Sequence, residues 1–350
     1  MSSRDKAPVF VVGSARSGNT MLYQMLLSSG HFPIYRTEPV VFDLLVPRFG
    51  DLRSVAVRRK LMSFWLRSRQ FRRSRLDARQ ITERVVTSVR NGGDFLRAVM
   101  DEMVRAGGYQ RWTVWGPDNL LYIPDIKRQI PEAIFIHMVR DGRDVALALD
   151  RKKFIRPFPW DRNYRLFASA LHWMWKVQTG RRYAQALGQD YMEVRFEDLV
   201  LNPSETLERI GTFIGQALDY EKIRKSGAVR RPNTSFPEEL EARNFSPVGR
   251  WKNLLSEGQI TRLEDLTGEL LVELGYPLLH PERANLGLRL RAMRSLYPVF
   301  YDLKEWLKTA TPLGSFVNMN RLHLDEDEDP GVSISGSYED VPRPKEVTST

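Results

Sequence analysis

Gly13-Ser-Ala-Arg-Ser-Gly-Asn-Thr20 follows the apolar run Val9 to Val12 and precedes Met21, Leu22, Met25 and Leu26. A short apolar run that ends in glycine reads as a buried strand of a parallel sheet. The residues after the turn repeat at helical spacing and stop near Ser29-Gly30, where glycine closes a helix. Strand, glycine-bounded turn and helix in that order aim backbone N–H groups and a positive helix end at one point, which is an anion-binding arrangement.

The outline Gly-x4-Gly-x-Thr is that of a P-loop, but the lysine that reaches the outer phosphates of a nucleoside triphosphate is replaced by Asn19. Arg16 supplies the cation instead, from inside the turn. Further strands are expected near Ile34-Tyr35, at Trp112 to Trp115, at Ala133 to Val139 and at Tyr191 to Phe196, the last two each leading into a helical pattern. Strands alternating with helices imply a doubly wound parallel sheet. Ligands bind at the carboxyl edge of such a sheet, where the strand ending at Val139 delivers Arg140, a side chain suited to clamping phosphate. Locally, Arg140 and Asp141 have two other readings, as a pair at a helix start or, for Asp141, as a magnesium ligand.

Composition excludes some chemistry and leaves much open. There is no cysteine, so disulfides and thiolate-metal sites are out of reach. The five histidines, at 31, 137, 172, 280 and 323, show no metal-binding spacing, and no metal is expected. No apolar run approaches a membrane span or the core of a signal peptide, so a cytoplasmic protein is expected. The net charge is +10, and the tail from Asp325 to Thr350 carries eight acidic and two basic residues, leaving the first 324 residues at +16. Such a field attracts anions without choosing among them. No nucleic-acid-binding module is present, and no specific nucleic acid is expected as a partner.

Four segments in order then decide. Phe10-Val-Val-Gly-Ser-Ala-Arg-Ser-Gly-Asn-Thr20, Phe135-Ile-His-Met-Val-Arg-Asp-Gly-Arg-Asp-Val145, Tyr191-Met-Glu-Val-Arg-Phe-Glu-Asp-Leu199 and Gly249-Arg-Trp-Lys252 together resemble the sulfotransferase superfamily. The tyrosylprotein and bacterial carbohydrate branches are the nearer ones, and the likeness runs over about residues 8 to 280. It implies an α/β fold with a P-loop-like parallel sheet flanked by helices, and an enzyme that uses 3'-phosphoadenosine 5'-phosphosulfate as donor substrate without a metal. By resemblance, Arg16, Ser17, Gly18, Asn19 and Thr20 hold the 5'-phosphosulfate and Arg140 the 3'-phosphate. Phe196 lies beside the adenine, and the loop carrying Arg250 and Lys252 closes over the nucleotide. Glu38, 22 residues after Arg16 in Tyr35-Arg-Thr-Glu-Pro39, matches the position of the glutamate base, so Glu38 and Arg16 are the candidate catalytic pair.

The chain departs from the pattern at three points. Ala148 stands where the family has serine near the 3'-phosphate, Asp118 stands at or near a common lysine, and Phe196 replaces a tyrosine. Arg143, Lys152, Lys153, Arg250 and Lys252 are the cations available to compensate.

A catalytic domain over 1–285 is expected to contain a basic helical insertion at about 43–110, since Arg53 to Arg79 holds ten basic residues and one acid. An amphipathic helical segment should follow over 286–322. Its apolar residues recur at 286, 290, 293, 296, 300, 303 and 307, with a kink at Pro298. This basic helix packs on the body or touches a membrane surface through 286–308. The acidic stretch 323–350 reads as disordered. The acceptor expected is a small molecule or glycan, a carbohydrate or glycolipid hydroxyl or an amine. The rival readings are a P-loop-type phosphotransferase and a non-catalytic nucleotide or nucleic-acid binder of the same fold.

Overall fold

The computed structural model describes residues 3–226, 246–281 and 287–324. At its centre lies a four-stranded, wholly parallel sheet: β1 (Val9–Gly13), β2 (Thr113–Trp115), β3 (Ile134–Val139) and β4 (Tyr191–Arg195), in the order β2-β1-β3-β4. Period-2 alternation sorts its central strand between two cores. Phe10 and Val12 face a cluster with Phe135 and the insertion helices, while Val9 and Val11 face Leu22, Leu26 and Ile210. Burial on both faces is why β1 reads as an unbroken apolar run.

The expected strand at Ile34-Tyr35 does not form. Both edges of β1 are taken by β2 and β3, and Pro33 and Pro39 flank a segment without regular structure. Tyr35 is buried there, and the Tyr23 hydroxyl donates to its carbonyl.

After α1 (Asn19–Ser28) the chain makes a π-helical turn at Val41–Leu45 and then the helices α2 (Val46–Phe49), α3 (Val55–Trp65), α4 (Arg69–Ser74), α5 (Ala78–Ser88) and α6 (Gly92–Gly107). The basic character of this stretch is partly structural. Buried Arg58 donates to the carbonyls of Leu52 and Val86 at 2.7 Å each, tying α3 to the end of α5. The remaining helices are α7 (Ile123–Gln129), α8 (Gly142–Arg151), α9 (Arg165–Leu187), α10 (Phe196–Leu201), α11 (Pro203–Ile214), α12 (Tyr220–Lys225), α13 (Trp251–Leu254), α14 (Glu257–Glu273) and α15 (Leu288–Ala310).

A third core joins α8, α9, α14 and α15. The long helix α15 continues through Pro298 and buries Leu290, Met293, Tyr297 and Tyr301 rather than the 296, 300 and 303 positions of the expected stripe. The strap beyond it returns to the insertion: Ser68 bridges Leu324, the Arg69 amide donates to the His323 carbonyl at 3.2 Å, and Leu322 is buried. Of the stretch 323–350 expected to be disordered, His323 and Leu324 are held in this strap, and the acidic residues from Asp325 lie outside the described residues. Among the described residues, no helix is long and apolar enough to cross a membrane.

Candidate active site

The turn after β1 is held by backbone that only particular residues tolerate. Gly13 has φ 149°, and a Cβ on it would sit 2.5 Å from the Met138 carbonyl oxygen on β3. Gly18 has φ 94°, and its Cβ would meet the Phe196 ring at 2.4 Å. Arg16 itself adopts φ 70°, the left-handed region that a branched or long side chain enters only when its surroundings enforce it. The Asn19 amide nitrogen donates to the Ser14 carbonyl at 2.8 Å and so closes the turn from within. Asn19, at the position of the P-loop lysine, is thus a brace of the turn.

Register brings the second cation. Gly13 pairs with Met138, so β3 ends beside the turn, and the Arg140 guanidinium donates to the Arg16 carbonyl at 3.0 Å. Arg140 also lies 4.4 Å over the Phe196 ring and 3.5 Å from Asp144. Asp144 in turn accepts from the amides of Gly249 (2.8 Å) and Trp251 (3.0 Å), docking the distant loop that carries Arg250 onto α8. Burial, followed by the neighbouring Arg140 and Arg250 charges, pushes Arg16 down to about 10. Three guanidinium groups gather at one strand edge with Asp144 already engaged by two amides. The buried Ser17 hydroxyl and Arg140 Nε have no partner among the described residues. Mutually repelling cations and idle donors around a glycine turn fit a ligand with more than one anionic group.

A second cluster sits where β2 runs into the Pro117–Tyr122 turn. A Cβ on Gly116 would lie 3.2 Å from Glu38 Oε1, so glycine makes room for that carboxylate. Arg321, from the strap after α15, donates to Glu38 at 2.7 Å, to Asp43, and to Asp118 at 3.4 Å. Burial raises Glu38 to about 7 against the opposing pull of Arg321, and the charges of Asp43 and Asp118 add to the rise. Asp43 is likewise raised by burial. Asp118 is held well below the carboxylate range, because Lys176 and Arg321 outweigh its burial. Lys176 reaches it from α9, its ammonium 2.7 Å from Asp118 and 3.5 Å from the Pro117 carbonyl. One turn earlier, burial and then Lys176 push His172 down to about 3, so its ring is neutral.

The sequence-derived residues divide. Arg16, Ser17, Gly18, Thr20, Arg140 and Arg250 belong to the turn or to the loops beside it, and Glu38 stands in the carboxylate cluster. Lys252 is exposed, with its ammonium 5.6 Å from the Trp251 ring. Phe196 is buried with Arg140 over one side and Gly18 against its edge, which makes it a wedge under the turn rather than an open stacking face. Arg143 does not compensate for Ala148: it is buried, forked onto Asp141 at 3.0 and 2.8 Å, and paired with Glu264. That fork and the capping of the Arg143 amide commit Asp141 to structure, against the magnesium-ligand reading. Lys152 and Lys153 follow the last turn of α8, away from its N-terminus. Asp43, Lys176, His172 and Arg321 were not anticipated. No local pattern marks Arg321, which lies 278 residues from its partner Asp43.

Residues 8–220 match the model of the sulfotransferase family. The chain belongs to that family. It is 24% identical over 289 residues to a protein-tyrosine sulfotransferase of Drosophila melanogaster, covering 78% of this chain and 52% of that one. The chain therefore spans about half the length of that curated relative. Its fold is similar to the sulfotransferase domain of the Synechococcus PCC 7002 olefin synthase, with TM-score 0.50, 19% identity, and 78% of this chain against 96% of the other. It is also similar to the sulfotransferase domain of the curacin biosynthetic pathway, with TM-score 0.51, 15% identity, and 78% against 98%. In this sulfotransferase-family chain, Arg250 and Arg321 both lie beyond the matched residues.

Proposed function

We propose that the chain transfers the sulfuryl group of 3'-phosphoadenosine 5'-phosphosulfate to a hydroxyl or amine of a carbohydrate, glycolipid or other small acceptor. The observation that carries this reading is the convergence of Arg16, Arg140 and Arg250 on the glycine turn. A donor with a 5'-phosphosulfate and a separate 3'-phosphate needs cations at two points, and the turn and the end of β3 supply them.

Glu38 is the base. A carboxylate near 7 takes the acceptor proton at neutral pH, as a well-matched general base does. The acceptor oxygen then forms a bond to sulfur while the bridging S–O bond breaks and its electron pair leaves with the phosphate of adenosine 3',5'-bisphosphate. Arg16 and the turn amides take up charge on the leaving oxygen, so positioning and electrostatics supply most of the catalysis. At Asp118, Lys176 cancels the negative charge that this loop carries in place of a lysine.

A tyrosine phenol is the second acceptor class, supported by the similarity to the Drosophila protein. Thermal-shift titration tests the donor: adenosine 3',5'-bisphosphate should stabilise the protein without metal, and stabilisation by magnesium-ATP alone would favour the phosphotransferase. Transfer assays over saccharide, glycolipid and tyrosine-peptide acceptors then separate the acceptor classes, and donor binding with no transfer would favour the non-catalytic reading.

A further inference from the structure

Helix α15 buries one apolar face, Leu290, Met293, Tyr297 and Tyr301, is tied to the body by polar side chains on its flanks, and leaves a second apolar stripe facing solvent. Asp302 accepts from the Trp175 indole at 2.8 Å, Glu305 accepts from the Tyr122 hydroxyl at 2.7 Å, Arg294 pairs with Glu269 at 2.8 Å, and Arg289 pairs with Asp161 at 2.9 Å. Away from the body, at steps of three and four, stand Leu296 (60% exposed), Val299 (65%), Leu303 (51%) and Trp306 (55%). The outer face of a surface helix is normally charged, and here it carries a second apolar stripe. Scattered exposed apolar residues are ordinary, but a contiguous stripe marks an interaction surface.

A second element adjoins the same helix. Arg151-Lys-Lys-Phe-Ile-Arg-Pro-Phe-Pro-Trp-Asp-Arg162 carries five cations and one acid, and the acid, Asp161, is the buried partner of Arg289. Lys152, Lys153, Arg156 and Arg162 are exposed, and so is Trp160 (69%). Phe158 stacks on Trp160 at 4.9 Å and packs against Tyr297 and Phe300 of α15 at 4.9 and 4.6 Å. Loop and helix are therefore parts of one surface, with cations beside an apolar stripe and a tryptophan in each part.

From this juxtaposition we infer that α15 and the 151–162 loop seat the protein on an anionic lipid surface, with the helix lying in the plane of the headgroups. Apolar side chains enter the acyl boundary, the two indoles sit at headgroup level, and the cations meet lipid phosphates. Charge decides between lipid and a second copy of the chain. Four exposed cations in a protein whose first 324 residues carry +16 suit an anionic partner and repel a like one. The inference does not depend on the donor or on the reaction, and it goes beyond the family reading.

The test is co-sedimentation of the full chain with phosphatidylcholine vesicles made with and without phosphatidylglycerol, alongside sedimentation velocity without lipid. Binding is expected only with phosphatidylglycerol, weakening as salt rises. Lys152→Ala and Lys153→Ala should each cost about fivefold in partitioning. Leu296→Asp with Leu303→Asp, both at exposed positions, should abolish binding while circular dichroism shows the fold intact. Absence of binding by the wild-type chain, or full binding by the double aspartate variant, overturns the inference. A wild-type dimer that the aspartates split assigns the face to a second copy instead. Should the aspartates unfold the protein, the lysine variants decide, and unchanged binding there also overturns it.

Discussion

Arg321 donates to Glu38 at 2.7 Å while its other terminal nitrogen meets Asp43 and Asp118, so one guanidinium from the end of the described chain is shared by three carboxylates from its first half. Asp118 is kept charged by this pair and by Lys176, whereas Glu38 rises to about 7 because burial outweighs the arginine. The candidate base is thereby poised close to neutrality.

Arg321→Gln should shift the pH dependence of transfer. The arginine opposes the rise of Glu38, so its loss moves that carboxyl further above about 7. The acidic limb of the rate profile should move to higher pH, with reduced turnover at neutral pH that recovers in alkali. A variant whose limb stays put, with only a uniform drop in rate, would remove Arg321 from the proton balance.

Glu38→Gln should leave the affinity for adenosine 3',5'-bisphosphate near wild type and abolish transfer. A stability signature accompanies it. Since the folded carboxyl binds its proton more tightly than the unfolded one, Glu38 makes the wild type lose stability as pH rises from about 4.5 through about 7. Melting curves across that window should show the wild type falling relative to the glutamine variant. Equal turnover by the two proteins would take Glu38 out of the reaction.

Arg140→Ala should weaken binding of adenosine 3',5'-bisphosphate. A hydrogen bond to a charged group is worth about 1.5–3 kcal/mol, which corresponds to roughly tenfold to a hundredfold in affinity. Titration calorimetry measures it, and a change under twofold would place the 3'-phosphate elsewhere.

Gly18→Ala should destabilise the fold. The left-handed φ of 94° and the 2.4 Å overlap with Phe196 each act against a methyl group, together on the order of 1–3 kcal/mol. Adding Phe196→Leu should relieve the overlap and leave only the backbone strain, so the double variant should melt above Gly18→Ala alone. A single variant that melts like the wild type would show that the turn yields.

Arg143→Met strands Asp141 and Glu264, both buried, without their cation. Breaking such a buried pair from one side costs about 3–5 kcal/mol. The measured drop in melting temperature should exceed that of Arg53→Met, whose partner Asp51 is exposed.

Much of the donor side was legible in the sequence because its information is local. Val9 to Thr20 encodes strand, turn and helix within twelve positions, and Arg140 is announced by the strand that ends one residue before it. Ile34-Tyr35 misled because its apolar pair belongs to an irregular segment between prolines, in which Tyr35 is buried while Ile34 is exposed. The outward stripe of α15 was misassigned for a related reason. Periodicity gives the spacing of a face, and which of two apolar faces meets the body depends on Trp175 and Tyr122, far away in sequence. Asp118 looked like a lost charge because Lys176, which answers it, arrives from the middle of another helix. Arg321 carries no motif at all, and only folding brings it to Glu38.

The pairing of Arg321 with Asp43 spans 278 positions, so the carboxylate is synthesised long before its cation. Strand, turn and α1 emerge from the ribosome first, ahead of Arg140 and Arg250. Glu38 shares its corner with Asp43 and Asp118, and Lys176 on Asp118 is translated well before Arg321. A chain cut short before codon 321 lacks the cation that Glu38, Asp43 and Asp118 share, while Lys176 still answers Asp118.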